Sequence, residues 1–309
     1  MSERLADPDS ALAALTREVP GRGGAFRFSL RRLRRSRLLH WPIFSFGVLG
    51  LFALAGIFGK LAAPHDPNEV DLRVALKPPA FNGGSWTYPL GTDELGRDIL
   101  SRLLAGAQAS FVVAMSVVVL AGLIGLGVAL LAGIRGGRTD AVLTRVTDGS
   151  IAFPFLLLAV IMVATFRASL TLVVVVLVLA GWPQYARILR AEILKIRTQD
   201  YVTMSRVMAG GNRWIMTRHI IPNILSTLLV LATLQVGLAI IAEGSLSFLG
   251  IGVPPPTASW GSMLAEGRGY LTTAWWLPAF PAVCLCVTVL AANLAGDWLR
   301  TRSDPTMRR

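Results

Sequence analysis

Few residues of this sequence have the types and spacing that catalysis or metal binding requires. Its two cysteines, Cys284 and Cys286, lie two positions apart inside an apolar run. A helix would point them in different directions, so we interpret them as core or lipid-facing residues. His65 is a lone loop histidine, which we interpret as solvated rather than as a ligand. The sequence lacks a G-x-x-x-x-G-K-S/T phosphate loop, which excludes ATP hydrolysis by that route. We therefore expect no catalytic residues and no metal site.

Glu243 is the acidic residue with the most unusual setting. It stands at the end of a long apolar run, within the stretch AEGSLSFLGIGVPPPTASWGSML. An ionisable group at membrane depth is costly, and it is a functional hypothesis by default. The alternative interpretation is an acid at a helix end that reaches the membrane interface.

The elements that position these residues are those of a membrane protein. Of 309 residues, 53% are hydrophobic and 16% charged, and the mean hydropathy is +0.58. Soluble domains carry about 25% charged residues. Apolar runs of the length that spans a bilayer, about 20 residues, predict six transmembrane helices in an all-α integral membrane protein. They cover about 41–59, 109–134, 151–166 (short, and beginning a few residues earlier), 170–188, 223–242 and 277–299.

The basic residues indicate the orientation of these helices. If the N-terminus is cytoplasmic, 23 of the 30 lysines and arginines fall in cytoplasmic segments, namely 1–40, 135–145, 187–222 and 300–309. Only seven fall in the external segments. This asymmetry predicts that both termini are cytoplasmic. The net charge of +12 is thus a topology signal, and nucleic acid is not an expected partner.

A long external loop, 60–108, is predicted between the first two spans. Its first half is rich in Pro, Gly and Asp and predicts irregular structure. From Asp93 we predict an amphipathic helix at the outer interface, with Thr92 as its N-cap and Asp93 and Glu94 in its first turn.

Residues 198–222 predict two short helices on the cytoplasmic side, and we call this segment the elbow. Thr198 is the predicted cap of the first helix, and Gly210 and Gly211 are predicted to end it. Asn212 then caps a second helix, 213–221, and Pro222 suits the first turn of the next span. The first helix carries an apolar face of Tyr201, Met204, Val207 and Met208, flanked by Arg206, Arg213 and Arg218. An amphipathic helix held out from a membrane bundle is suited to docking in a groove of another protein.

Three stretches together resemble the permease subunits of ABC importers for dipeptides, oligopeptides and nickel. They are GTDELGRDILSRLLAG before the second span, YVTMSRVMAGGNRWIMTRHIIPN in the elbow, and AEGSLSFLGIGVPPPTASWGSML after the fifth span. The long loop that starts HDPNEVDL resembles that of the second, C-type permease. The chain departs from the family's Glu-Ala-Ala, which is expected at Thr203, Met204 and Ser205, and from its glycine, which is expected at Ala209.

The resemblance implies a type I ABC importer permease in a bacterial plasma (inner) membrane. Such a chain binds no cofactor, while ATP and Mg are held by partner ATPases. The implied partners are a second permease, one or two cytoplasmic ATPases, an extracytoplasmic solute-binding protein and the lipid bilayer. The residues expected to couple to the ATPase are Tyr201, Thr203, Met204, Ser205, Arg206, Met208, Ala209, Gly210, Gly211, Arg213 and Pro222. Those expected in a translocation path or outer gate are Glu243, Ser245, Ser247 and Phe248.

The expected organisation has five parts. These are a basic tail 1–40, a first span 41–59, the external loop 60–108 with its interfacial helix, a core 109–299 and a tail 300–309. The core contains the coupling loop 187–222 and an external loop 243–276. A secondary, ion-coupled transporter and a membrane scaffold remain alternatives, although the spans are almost free of charge. Peptides are favoured as substrates by the resemblance alone.

Overall fold

The computed structural model describes residues 24–208 and 211–303, and all their regular structure is helical. The helices are α1 Gly24–Ala62, α2 Ile99–Arg135, α3 Gly137–Ala152, α4 Phe155–Thr165, α5 Leu170–Arg197, α6 Asp200–Val207, α7 Asn212–Ile215, α8 Ile221–Phe248, α9 Trp260–Gly267 and α10 Trp276–Ser303. Short 3₁₀ turns lie at Leu72–Val74, Ala80–Asn82 and Arg268–Tyr270, and a π-helical turn at Met216–Ile220. The chain divides into two units between Ile43 and Phe44, and the sites below lie in the second.

In the part of the chain that the structure describes, five helical segments are long and apolar enough to cross a membrane. They are Trp41–Ala62, Ile99–Arg135, Leu170–Arg197, Arg213–Phe248 and Trp276–Arg302. Helices α3 and α4 form a sixth span if this pair, bent by 82°, crosses as one. Pro154 stands at the break, where it lacks the N–H that would continue α3. The prediction of six spans therefore corresponds to five helices and one broken pair.

The ends of the bundle are distinguished by their connections. Residues 198–208 and 211–222 lie at one end, which we call the elbow end. Residues 63–98 and 249–275 lie at the other, which we call the loop end. Helices α2, α5 and α10 begin at the loop end and α8 begins at the elbow end.

Helices α2 and α5 pack closely because small residues line their contact. A Cβ atom added to Gly125 would lie 2.4 Å from the Tyr185 Cβ atom, and one added to Gly133 would lie 2.5 Å from Ile193 Cγ2. Ala121, one turn from Gly125, is fully buried. The spacing of Ala121 and Gly125 thus brings two backbones together, as small residues do in membrane helix pairs.

Replacing Gly125 by alanine is expected to separate these two helices and to destabilise the protein. A methyl group there has no room, and overpacking costs about 1–3 kcal/mol. Gly127→Ala is the matched control, because nothing lies within 4 Å of its added Cβ and alanine favours helix by up to about 1 kcal/mol. Thermal unfolding of the detergent-solubilised protein measures both. Equal unfolding temperatures for the two variants would contradict the close packing.

Candidate functional site

The first helix of the elbow presents an exposed apolar face. Tyr201 is 45% exposed, Met204 65% and Met208 84%, while Val202 on the other side of α6 is fully buried. The face that the periodicity predicted is therefore present and uncovered in this chain. An exposed apolar face of this kind is typical of a protein contact.

His219 fastens α6 to the start of α8. Its Nε2 atom lies 3.1 Å from the Ser205 hydroxyl, and its ring packs against those of Tyr201 and Trp214, with centroids 5.5 Å and 5.0 Å away. Asn223 donates to the His219 carbonyl at 2.6 Å and to the Tyr201 hydroxyl at 3.4 Å. Sequence reasoning missed His219, Trp214 and Asn223. The only available signal was their place in the WIMTRHIIPN part of the elbow motif.

Thr198 does not cap α6 as predicted. Its hydroxyl donates to the Lys195 carbonyl at 2.8 Å, so it closes the last turn of α5 instead. This arrangement follows from the short link between the two helices, since α6 begins at Asp200 and leaves Thr198 in the final turn of its predecessor.

The second elbow helix is not separate from the following span. Helix α7 leads through the π-helical turn directly into α8, and the N–H of Ile221 donates to the Met216 carbonyl. Pro222 follows, and because it has no N–H, a widened turn accommodates it. The elbow therefore continues as the membrane helix.

The remaining predicted coupling residues have different placements. Thr203, Arg213, Gly211 and Pro222 are exposed, and Ser205 is half-buried against His219. Arg206 lies in α6. Ala209 and Gly210 lie outside the described residues.

Glu243 is fully buried inside the bundle. Its Oε1 atom accepts from the Ser247 hydroxyl at 2.8 Å, and its Oε2 atom accepts from Ser110 of α2 at 3.3 Å. The Ser259 side chain, at the start of α9, also lies near this carboxylate. Glu243 thus connects α8 to α2 and lies beside α9.

The four residues predicted for a path or outer gate fall into two places. Ser247 is buried and shares the interior site with Glu243. Ser245 and Phe248 are exposed on the other side of α8, where the Arg268 guanidinium lies 5.6 Å from the Phe248 ring. The structure therefore brings Glu243 and Ser247 together and separates them from the other pair.

An ionic cluster holds the loop end together. Arg102 is 3% exposed, and it donates to Asp93 and, at 2.9 Å, to Glu266 Oε2. Arg97 donates to the same two carboxylates, at 2.6 Å to Asp93 and 3.2 Å to Glu266. Burial raises the pKa of the nearby Glu94 carboxyl. Because two guanidinium groups lie among the three carboxylates, the cluster is an ion-pair network rather than a cation site.

The helix predicted from Asp93 begins at Ile99 instead and is continuous with the second span. The Asp93 carboxylate accepts from the backbone N–H groups of Leu95 and Arg97, both at 2.9 Å, and Gly96 closes the turn at φ 75°. Aspartate side chains compete in this way with helical hydrogen bonding. Asp98 is the actual N-cap.

Two distant sequence motifs form one unit at the loop end. The Trp260 indole donates to the Leu103 carbonyl at 3.0 Å, and the Trp276 indole donates to the Thr92 carbonyl at 3.2 Å. The stretch GTDELGRDILSRLLAG therefore docks on WGSMLAEG and the start of α10. Sequence reasoning missed Trp260 and Glu266, although both lie in or beside a motif it had singled out.

Comparison with known proteins identifies the class of this molecule. Residues 125–309 match the family model described as binding-protein-dependent transport system inner membrane component. The di/tripeptide transport system permease protein DppC of Pseudomonas aeruginosa is 40% identical over 84% of this chain and 86% of its own length. The oligopeptide transport system permease protein OppC of Bacillus subtilis is 36% identical over 85% and 84%. The resemblance inferred from the three motifs is confirmed, and the chain belongs to the inner-membrane components of binding-protein-dependent transport systems, the permeases of ABC importers rather than their ATPases.

Proposed function

We propose that this permease imports dipeptides or oligopeptides, forms half of the translocation path, and receives energy through the elbow. The relatives support the substrate class, since proteins at 36–40% identity over most of the chain are named for di-, tri- and oligopeptide transport. The exposed apolar face of the elbow carries the coupling role, because this surface is of the kind that docks in a partner's groove.

The proposed orientation places the elbow end in the cytoplasm. It rests on the positive-inside asymmetry, with 23 of 30 basic residues in the segments on that side. Both termini are then cytoplasmic, and the loop end, within 60–108 and 243–276, faces the binding protein. The ends of the chain, 1–40 and 300–309, serve as basic cytoplasmic tails.

Coupling follows from the continuity between the elbow and α8. When partner ATPases bind ATP and Mg and close, the groove that holds Met204 and Met208 moves, and the elbow moves with it. His219 fixes α6 to the base of α8, so the movement is transmitted to that span as a rigid body. At the far end of α8, Glu243 transfers it to α2 and α9.

The proposed partners have separate docking surfaces. One or two ATPases bind the elbow. Tyr201, Met204 and Met208 provide contact area, and Arg213 contributes to the orientation of the complex. The solute-binding protein docks on the loop end, whose ion-pair network keeps that surface rigid. A second, homologous permease completes the path. This chain itself binds no cofactor in the proposed scheme.

Co-purification tests this proposal. The tagged chain, expressed with its neighbouring genes and extracted in mild detergent, is expected to retain a second permease and ATPase subunits. The purified complex is expected to hydrolyse ATP faster when the binding protein and a peptide such as trialanine are added. A chain that purifies alone and without ATPase activity would contradict the coupling role. If no di- or tripeptide tested increased the rate of ATP hydrolysis by the complex, this result would contradict the peptide assignment but not the coupling role.

A further inference from the structure

Two glutamine side chains meet within the membrane-spanning region. Gln235 lies near the middle of its apolar run, 223–242, and Gln184 lies about one turn before the end of its run, 170–188. The Gln235 amide donates to the Gln184 carbonyl oxygen at 3.4 Å. Both side chains therefore lie at the depth of the bilayer, with Gln184 closer to the elbow end.

These glutamines are not enclosed by the chain itself. Gln184 is exposed and Gln235 half-buried, in contrast to Tyr185 and Ile240 on the packed sides of the same helices, which are buried. A primary amide that faces lipid leaves donors and an acceptor without partners, which is strongly unfavourable in the hydrocarbon layer. The pair must therefore face water or another polar group.

The polar surface continues from the glutamines toward the elbow end. Arg187 lies three residues after Gln184, on the same face of α5, and forms a 2.6 Å ion pair with Asp148 of α3. The two charged side chains are 56% and 53% exposed. We call Gln184, Gln235, Arg187 and Asp148 the polar band.

A cavity flanks the polar band. It encloses about 150 Å³ between α2, α3 and α5, and its lining includes Thr147, Asp148, Arg187 and Arg190. The rest of the lining is apolar, and the polar groups of the cavity lie on α3 and α5. A volume of several water molecules beside these polar groups is sufficient for a hydrated space.

We propose that the polar band is a peptide-binding wall of the translocation path. The Gln184 and Gln235 amides retain donors and acceptors that match peptide groups. Asp148 and Arg187 pair with each other at 2.6 Å on one side of the glutamines, and because both side chains are more than half exposed, a charged terminus of a peptide can pair with the group of opposite sign. This inference rests on the proposed import function and adds to it the residues that contact the substrate.

Accessibility to a charged thiol reagent tests the position of the band. In the complete complex in lipid nanodiscs, with Cys284→Ala and Cys286→Ala, single cysteines are placed at Gln184, Gln235 and Leu51. Leu51 is an apolar control in α1, 68% exposed. A quaternary-ammonium methanethiosulfonate is expected to modify the first two at least about 50-fold faster than the third, because a charge is costly at hydrocarbon depth. Adding the binding protein and trialanine is expected to slow modification of Gln184→Cys and Gln235→Cys.

Each outcome bears on the proposal. Protection by trialanine supports it. Cysteines that react as slowly as that at Leu51 would overturn it, and would place the band against the second permease. Fast reaction without protection would also overturn it, since the band would then line water without binding peptide. If trialanine still stimulates ATP hydrolysis by the complex in either case, only the binding wall is wrong. If none of the di- and tripeptides tested stimulates it, the proposed peptide substrate fails as well.

Discussion

Arg102→Met is expected to reduce the free energy of unfolding by about 3 kcal/mol or more, because it removes one partner from a buried ion pair. The Arg102 side chain is 3% exposed and that of Asp93 is 4% exposed. Methionine would leave Asp93 with Arg97 alone, and Glu266 would lose its 2.9 Å contact. Since this cluster joins the start of α2 to α9, the loop end is expected to loosen first. Thermal unfolding in detergent and the yield of membrane-inserted protein measure the effect.

A surface ion pair provides the control for Arg102. Lys195 is 69% exposed and lies 3.5 Å from Glu192, so Lys195→Met is expected to change stability by less than about 1 kcal/mol. A second variant separates charge from packing. In the Arg102→Met background Arg97 is the guanidinium that the three carboxylates of the cluster share. Glu266→Gln then removes one of these carboxylates and is expected to restore part of the loss. Equal unfolding temperatures for Arg102→Met and Lys195→Met would show that the cluster does not hold the loop end.

The membrane spans and the elbow face could be predicted from local sequence. Apolar length alone located the spans, because a bilayer requires about 20 apolar residues regardless of what packs against them. The face of Tyr201, Met204 and Met208 follows from helical periodicity, which is also a local property. Three motifs in order were enough to indicate the family.

Contacts across long sequence separations could not be predicted. Arg102 contacts Glu266 across a sequence separation of 164 residues, and Glu243 contacts Ser110 across a separation of 133 residues. No local pattern records such pairs. For this reason the sequence showed only that Glu243 stands at the end of an apolar run. It did not show that the bundle encloses this side chain completely.

Local sequence also failed where two local structures compete. Asp93 suits a first helical turn by the helix dipole, yet its carboxylate binds the backbone of Leu95 and Arg97 and forms a tight turn instead. The elbow shows the same difficulty, since the predicted cap Thr198 closes α5. Propensity rules rank these options too closely to choose between them.

The elbow has one feature that the sequence predicted and one that it did not. Its exposed face was foreseen, but its attachment through His219 and the π-helical turn was not. The attachment is what makes the elbow an extension of α8 rather than a flexible loop. We therefore expect a displacement of the exposed face to be transmitted along α8, the helix that carries Glu243 and Gln235.

Met204→Glu is expected to abolish retention of the ATPase while leaving this chain folded. Met204 is 65% exposed, so a carboxylate there is hydrated in the free permease and should change its stability by no more than about 0.5 kcal/mol. In the complex the carboxylate would be buried against an apolar groove. A penalty of about 3 kcal/mol for an unpaired buried charge weakens binding at least about 100-fold.

Met204→Leu is the matched control, since it keeps an apolar side chain of similar size at the same position. The ATPase that remains bound to each immobilised variant, together with the peptide-stimulated rate of ATP hydrolysis, measures the contact. Thermal unfolding of the isolated permease shows whether either change acts through the fold. Because His219 and the buried Val202 hold α6 from its other side, the glutamate variant should unfold at the same temperature as the parent. If the Met204→Glu variant retained the ATPase as well as Met204→Leu does, the ATPase groove would have to contact another face of the elbow.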